Sequence, residues 1–384
     1  MRMVSPSAIP VPESPNEERL RSVFAAAAPP TVGLEEELML LDPRTFDLVP
    51  RAADVLDRLV ADPRFALELP ASQMEIVIGP AATVPEAIAA LARGRADLAA
   101  ATDGEIRLAA AGLHPFAAVE GELNRSARYD VTVAEHGAIA RRQLVLALQV
   151  HVAIRGGDRA LVVHNALRSF LPELAALAAN APFHGGRDTG LASGRPPVSG
   201  LLPRQGIPPV LPSWGAYAAA LELVGDPSRW WWELRPHPIH GTLEVRVPDA
   251  QSTVADAAAV AAVAHSLTVW LAERQDAGEA LPVDETWRIE ENRWRACRYG
   301  VEGDLLDLRT GERRPARARL HALLDDLEPV AERLGCGAEL SGARDLVQSN
   351  GAMKLRAAAG RDVDLRRATE WLSNVYLAGT ARSG

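Results

Sequence analysis

The chain has 384 residues, 48% hydrophobic and 24% charged, with 50 acidic against 41 basic side chains and a net charge of −9. That length can bury a large core. The acidic balance argues against nucleic acid or an anionic membrane as the main partner, since both need a basic footprint.

In chain order, residues 1–30 read as a mobile tail, with Pro10, Pro12, Pro15, Pro29 and Pro30 set among polar and alanine residues around a short helix at 16–27. No basic, apolar leader opens the chain, which points to the cytoplasm. From residue 31 to 384 the pattern reads as a single domain. Strands are expected at 32–41, 72–78, 144–154, 231–234 and 242–247, and helices at 52–61, 84–111, 158–167, 173–179, 214–224, 254–274 and 316–334. Residues 183–212 are dense in Gly, Pro and Arg and read as a long functional loop. The apolar run 257–272 is interrupted by His265, Ser266 and Thr268 and is too short to span a bilayer.

Side chains alternate across a strand, so each run sorts into two faces. The apolar faces are Leu144 through Ile154 in steps of two; Leu243, Val245 and Val247; Met74, Ile76 and Ile78; and Val32, Leu34, Leu38 and Leu40, with Glu36 the exception. The opposite faces carry Glu35 and Glu37, Glu75, Gln149 and His151, and Glu244 and Arg246. This is the pattern of an antiparallel sheet with helices on one face, an α+β fold. Acids gathered on the other face repel unless a cation lies among them. Carboxylates with one imidazole suit Mg²⁺ or Mn²⁺ better than zinc. The bland alternative is that the acids are scattered over a solvated sheet.

Only Lys354 is lysine, so no G-x-x-x-x-G-K-[ST] loop exists and any phosphate clamp falls to arginine. Cys297 and Cys336 fit neither a disulfide framework nor a zinc pattern and read as core residues. Trp230, Trp231 and Trp232 read as an anchor at the sheet edge, and His114, His237 and His240, each beside Pro or Gly, as loop residues.

The run T-V-G-L-E-E-E-L-M-L-L from Thr31 resembles the opening strand of the glutamate–cysteine ligase type 2 family, the bacterial carboxylate–amine ligases. The similarity continues through L-H-P-F-A at Leu113, L-P-E-L-A-A-L-A-A-N-A-P-F at Leu171, G-R-D-T-G at Gly186 and W-W-E-L-R-P-H-P-I-H-G-T-L-E-V-R-V-P-D at Trp231. It extends to E-N-R-W-R-A-C-R-Y-G at Glu291 and G-A-M-K-L-R at Gly351. The sequence departs from the family at Gln149, where histidine is usual, at Leu191 and Gly194, where tyrosines are usual, and after Glu75, where a threonine is usual.

The resemblance implies a curved antiparallel sheet like the catalytic domain of glutamine synthetase, whose concave face holds metal ions and nucleotide. It also implies ATP-dependent joining of glutamate to cysteine through a γ-glutamyl phosphate, with amino acids as the small-molecule partners. Residues 31–384 are then the catalytic domain. Glu35, Glu37, Glu75, His151 and Glu244 are the candidate metal ligands, and Arg235 and Arg246 the candidates for the phosphoryl group. Arg187, Arg195 and Arg356 are candidates for substrate carboxylate or nucleotide, with surface ion pairs as their alternative. Asn180 either ends a helix or binds substrate. A guanidino-type phosphotransferase and a family member that binds without turnover remain competing readings, and self-association into a homo-oligomer is left open.

Overall fold

The computed structural model describes residues 16–25, 30–225 and 230–380. Its main sheet has seven strands. The first five are β1 (Val32–Leu41), β2 (Phe65–Leu67), β3 (Gln73–Ala81), β4 (Arg107–Ala109) and β5 (Leu148–Ala153). Two short pairs follow, β6 (Phe183–His184) with β7 (Arg187–Asp188), and β8 (Gln205–Gly206) with β9 (Trp231–Trp232). The main sheet is completed by β10 (Leu234–Pro236) and β11 (Thr242–Val245). Its order is β10-β11-β5-β1-β3-β2, every pairing antiparallel, with β4 beside the far end of β1.

The helices are α1 (Glu17–Ala25), α2 (Ala52–Arg58), α3 (Val84–Ala101), α4 (Ala127–His136), α5 (Gly157–Leu167), α6 (Leu171–Ala178) and α7 (Arg195–Ser199). After them come α8 (Trp214–Val224), α9 (Val254–Asp276), α10 (Thr286–Tyr299), α11 (Ala316–Arg333), α12 (Gly337–Gln348), α13 (Gly351–Ala359) and α14 (Leu365–Tyr376). The apolar faces of the strands, including Leu34, Leu38, Ile76, Val150, Val152 and Leu243, are sealed from water, with α3 packed on β1 and β3 and α9 on β5. Alanine lets α9 be enclosed on nearly all sides, by α3, α5, α11 and α12 among others. Among the described residues α9 is the one helix long and apolar enough to cross a membrane, and that apolar surface is already buried in the protein. Its first turn is tied to α13 by Lys354, whose Nζ lies 2.7 Å from Asp256.

The α+β architecture with an antiparallel sheet is the one expected from strand alternation, but several boundaries differ. The helix expected at 84–111 stops at Ala101, because Asp103 and Gly104 turn the chain at φ of 49° and 75° and residues 107–109 then pair with β1. The strand expected at 231–234 is two strands, β9 pairing in parallel with β8 and β10 joining the main sheet. Within the expected tail, the short helix expected at 16–27 is present as α1. Leu20 and Phe24 are buried where α1 meets α5 and α8, with the Phe24 ring 5.1 Å from that of Trp214. The rest of the expected tail, residues 1–15 and 26–29, lies outside the described residues.

Candidate functional site

Cross-strand register turns the polar face of the sheet into an ordered array. Glu37 stands opposite Glu75, Glu35 opposite Gln149, and Gly33 opposite His151, which in turn faces Glu244, which faces Arg235. Gly33 has a reason to be glycine: a Cβ there would come 3.2 Å from the Ile78 carbonyl oxygen and 3.5 Å from the His151 Cβ. The expected ligands therefore share one face and line or border one cavity of about 550 Å³.

They form two clusters. In the first, His151 Nε2 lies 3.2 Å from a Glu35 oxygen and 4.0 Å from a Glu244 oxygen. Its Nδ1 is 3.0 Å from the Thr242 hydroxyl, which orients the ring, while the buried Nε2 has no hydrogen-bond partner. An orphaned imidazole nitrogen aimed between two carboxylates is a donor set that fits a divalent cation. In the second, the carboxylates of Glu37, Glu68 and Glu75 bring oxygens within 4.8 Å of one another. Glu37 is fixed there by the Ala147 amide at 2.6 Å and the Gln149 amide at 2.9 Å.

The electrostatics of the clusters differ. Burial would raise Glu244, but Arg246, Arg235 and His151 outweigh it and hold the carboxyl well below its usual range. Burial likewise opposes ionisation of Glu35, and His151 reverses the balance. In the second cluster nothing reverses it. Burial pushes Glu68 to about 8, helped by Glu37, and lifts Glu75 well above its usual range, helped by Glu68, Glu35 and Glu37. Burial also raises Glu37, against the pull of Arg246. Three carboxyls that resist ionising side by side form a site short of positive charge.

Arg235 and Arg246 both engage Glu244, Arg235 from Nε and Nη2 and Arg246 from Nη1, and Arg246 also donates to the Gln149 side-chain oxygen. Gln149 therefore links the two clusters, accepting from Arg246 and donating to Glu37.

The remaining candidates divide between the readings left open for them, and Arg195 and Arg356 both make the ion pairs given as their alternative. Arg195 reaches the cavity wall, but its Nε is on Asp249 at 2.8 Å and its Nη2 on the Val247 carbonyl, so it pins the loop to the strand end. Asn180 is fully buried, donating from its backbone to Asp249 at 2.7 Å and from its side chain to the Ala250 carbonyl and the Ser252 hydroxyl. These contacts tie the end of α6 to the segment that follows β11. Arg187 is exposed on the β6–β7 hairpin, outside the cavity, because the hairpin directs it to solvent. Arg356 forms a bidentate pair with Asp188 and lines a separate cavity of about 400 Å³.

Glu68 escaped the sequence reading because it follows β2, a strand too short to be recognised, although the alternation Phe65-Ala66-Leu67-Glu68-Leu69 was there to be read. His237 also reaches the cavity, with its ring centroid 5.5 Å from that of His151. The tryptophans divide their work: Trp230 is buried against Tyr217 and Trp232, as an anchor should be, but Trp231 faces the cavity. Cys297 is buried with its thiol on the Ser193 carbonyl, and burial pushes it up to about 12; Cys336 is also buried.

A Rubrobacter xylanophilus protein provisionally named glutamate–cysteine ligase 2-3 is 39% identical over 91% of this chain and 98% of its own length. A Thermobifida fusca protein provisionally named glutamate–cysteine ligase 2 is 37% identical over 81% of each chain. In three dimensions the fold is shared with the Francisella tularensis glutamate–cysteine ligase solved in complex with AMP, at a TM-score of 0.66 and 11% identity over 92% of this chain and 90% of that one. It is also shared with a bifunctional glutathione synthetase from Pasteurella multocida, at a TM-score of 0.62 and 14% identity, covering 95% of this chain and 54% of that one. The pattern of the family described as glutamate–cysteine ligase family 2 is matched over residues 31–371, and with relatives this similar over most of their length, the chain belongs to that family.

Proposed function

We propose that this chain is an ATP-dependent carboxylate–amine ligase that joins the γ-carboxylate of glutamate to the amine of cysteine through a γ-glutamyl phosphate. The observation that carries the reading is the pairing of two acid clusters with two arginines around a single cavity. A free carboxylate does not acylate an amine, because oxide would have to leave. Transfer of the ATP γ-phosphoryl group to the carboxylate creates a good leaving group, and catalysis then consists of positioning and charge neutralisation.

Glu35, His151 and Glu244 would hold one Mg²⁺ or Mn²⁺, and Glu37, Glu68 and Glu75 a second; the ions supply positive charge to the phosphate oxygens. The chain itself supplies the rest. Arg235 and Arg246 keep Glu244 ionised and place guanidinium groups at the cavity wall. The cavity, at about 550 Å³, is of a size to enclose an amino acid and the phosphate end of a nucleotide. A guanidino-type phosphotransferase would call for a reactive cysteine, and neither Cys297 nor Cys336 is accessible.

The test is an ADP-release screen of amino acids, singly and in pairs, with Mg²⁺-ATP and the product identified by mass. ADP formation that requires glutamate and cysteine together, with a γ-glutamyl dipeptide as product, supports the reading. A different acid–amine pair would correct the substrates, and turnover with a guanidino compound alone would replace the class.

A further inference from the structure

His237 stands at the start of the turn that joins β10 to β11. Its backbone N–H donates to the Thr242 carbonyl at 2.8 Å. Its ring nitrogen Nδ1 accepts from the backbone amides of Ile239 and His240, at 3.3 and 3.2 Å. Two N–H groups pointing at one ring nitrogen require that nitrogen to carry a lone pair, so the hydrogen-bond network assigns the ring proton to Nε2. No protein group among the described residues takes up that proton.

The ring is also held on both sides. It stacks on His240 with centroids 4.2 Å apart and 14° between planes, and meets the edge of His151 at 5.5 Å. Coordination of a cation by Nε2 would require the proton to move to Nδ1, where two amides already donate. The residue is thus built as a donor rather than as a second imidazole ligand, although it lines the cavity beside the Glu35–His151–Glu244 cluster.

We infer that His237 donates a hydrogen bond from Nε2 to an oxygen of the phosphoryl group in transit from nucleotide to carboxylate. The inference rests on the ligase reading and adds a residue to it. In the step concerned, a bond forms between the carboxylate oxygen and the γ-phosphorus. The bond from that phosphorus to the β-phosphate oxygen breaks, and its electron pair leaves on ADP. His237 keeps its proton throughout. A neutral donor on a hydrogen-bonded turn stabilises charge there without competing for the carboxylates that would hold cations.

Two substitutions separate this role from simple support of the turn. His237→Asn keeps an acceptor near Nδ1 but removes the Nε2 donor, whereas His237→Gln places an amide N–H near Nε2 and removes the acceptor. ADP release by His237→Asn is expected to fall about 10–100-fold in kcat, with KM for the amino acids changed less than about twofold, and His237→Gln to stay within about fivefold of wild type. Wild-type turnover by His237→Asn, or a fall in His237→Gln as large as in His237→Asn, overturns the inference and leaves the residue as a turn support. A wild-type enzyme that releases no ADP with any acid and amine overturns the ligase reading itself, and the role of His237 with it.

Discussion

The guanidinium of Arg95 on α3 and the carboxylate of Glu36 on β1 are paired in complete isolation from water, with Arg95 Nε 2.9 Å from Glu36 Oε1 and both residues 0% exposed. Tyr376 of α14 completes the group, donating from its hydroxyl to Glu36 at 3.0 Å and accepting Arg95 on its carbonyl at 2.8 Å. Glu36 is the single acid on the helix-facing side of β1, and its neighbours Glu35 and Glu37 point the other way, into the cavity. The pair thus anchors the strand that presents one acid to each cluster.

Removing one member leaves a charge buried without its partner. Arg95→Met is expected to cost about 3–5 kcal/mol of stability, and Glu36→Leu with Arg95→Met together to recover most of that loss. Urea denaturation of the two variants checks it, and a double variant no more stable than the single would show that the pair is not an isolated unit.

The carboxyl cluster sets a pH dependence whose sign follows from its shifts. Glu68 ionises in the unfolded chain near its ordinary 4.5 and in the folded protein near about 8, and Glu75 moves in the same direction. The folded state therefore holds protons that the unfolded state releases. The stability they contribute is complete below the unfolded value and declines as pH rises through about 8. In EDTA the melting temperature is expected to fall between pH 6 and pH 9, by about several degrees. Mg²⁺ should flatten the slope and release protons on binding, which calorimetry in buffers of different ionisation enthalpy would detect.

Relief of the same repulsion by mutation predicts a trade. Glu68→Gln should raise the melting temperature of the metal-free protein at pH 8 and weaken divalent-cation binding about tenfold or more. A variant that binds Mg²⁺ as tightly as wild type would remove Glu68 from the proposed site.

Glu244 is held ionised by Arg235 and Arg246, so its loss is felt in function. Glu244→Gln should lower metal-dependent ADP release about a hundredfold or more while the far-ultraviolet circular dichroism spectrum is retained. Activity within a few-fold of wild type would remove Glu244 from the chemistry.

Two arginines of one loop should behave oppositely. Arg195→Met leaves the buried Asp249 without its ion-pair partner and should cost about 2–4 kcal/mol, whereas Arg187→Ala, out in solvent, should change neither stability nor turnover measurably. Thermal melts and steady-state ADP release on both variants decide the matter.

The strand faces were readable from residue order because alternation is strict: once β1, β3, β5 and β11 were recognised, Glu35, Glu37, Glu75, His151 and Glu244 had to share a side. Glu68 was hidden by the brevity of β2. The contacts of Asn180, Arg187, Arg195 and Arg356 were not readable, because a loop side chain takes its direction from distant partners such as Asp249 and Asp188 rather than from local periodicity. The Arg95–Glu36 pair was hidden for a related reason: a charge within a helix looks solvated until the strand beneath it supplies the opposite charge. Helix α9 was marked by an apolar run that covers its whole circumference, whereas α12 and α14 bury one face only, Leu365, Ala368, Leu372 and Tyr376 in α14, a spacing that was there to be read.

Lys354, seated on Asp256 at the seam of α9 and α13, is the sole lysine of the whole chain. A dye, biotin or cross-linker aimed at primary amines consequently has one side-chain address, and a reporter placed there needs no engineered cysteine. Masking of that amine by its carboxylate should slow the coupling relative to a solvated lysine, so the labelling rate itself becomes a gauge of how firmly the carboxy-terminal helices stay docked.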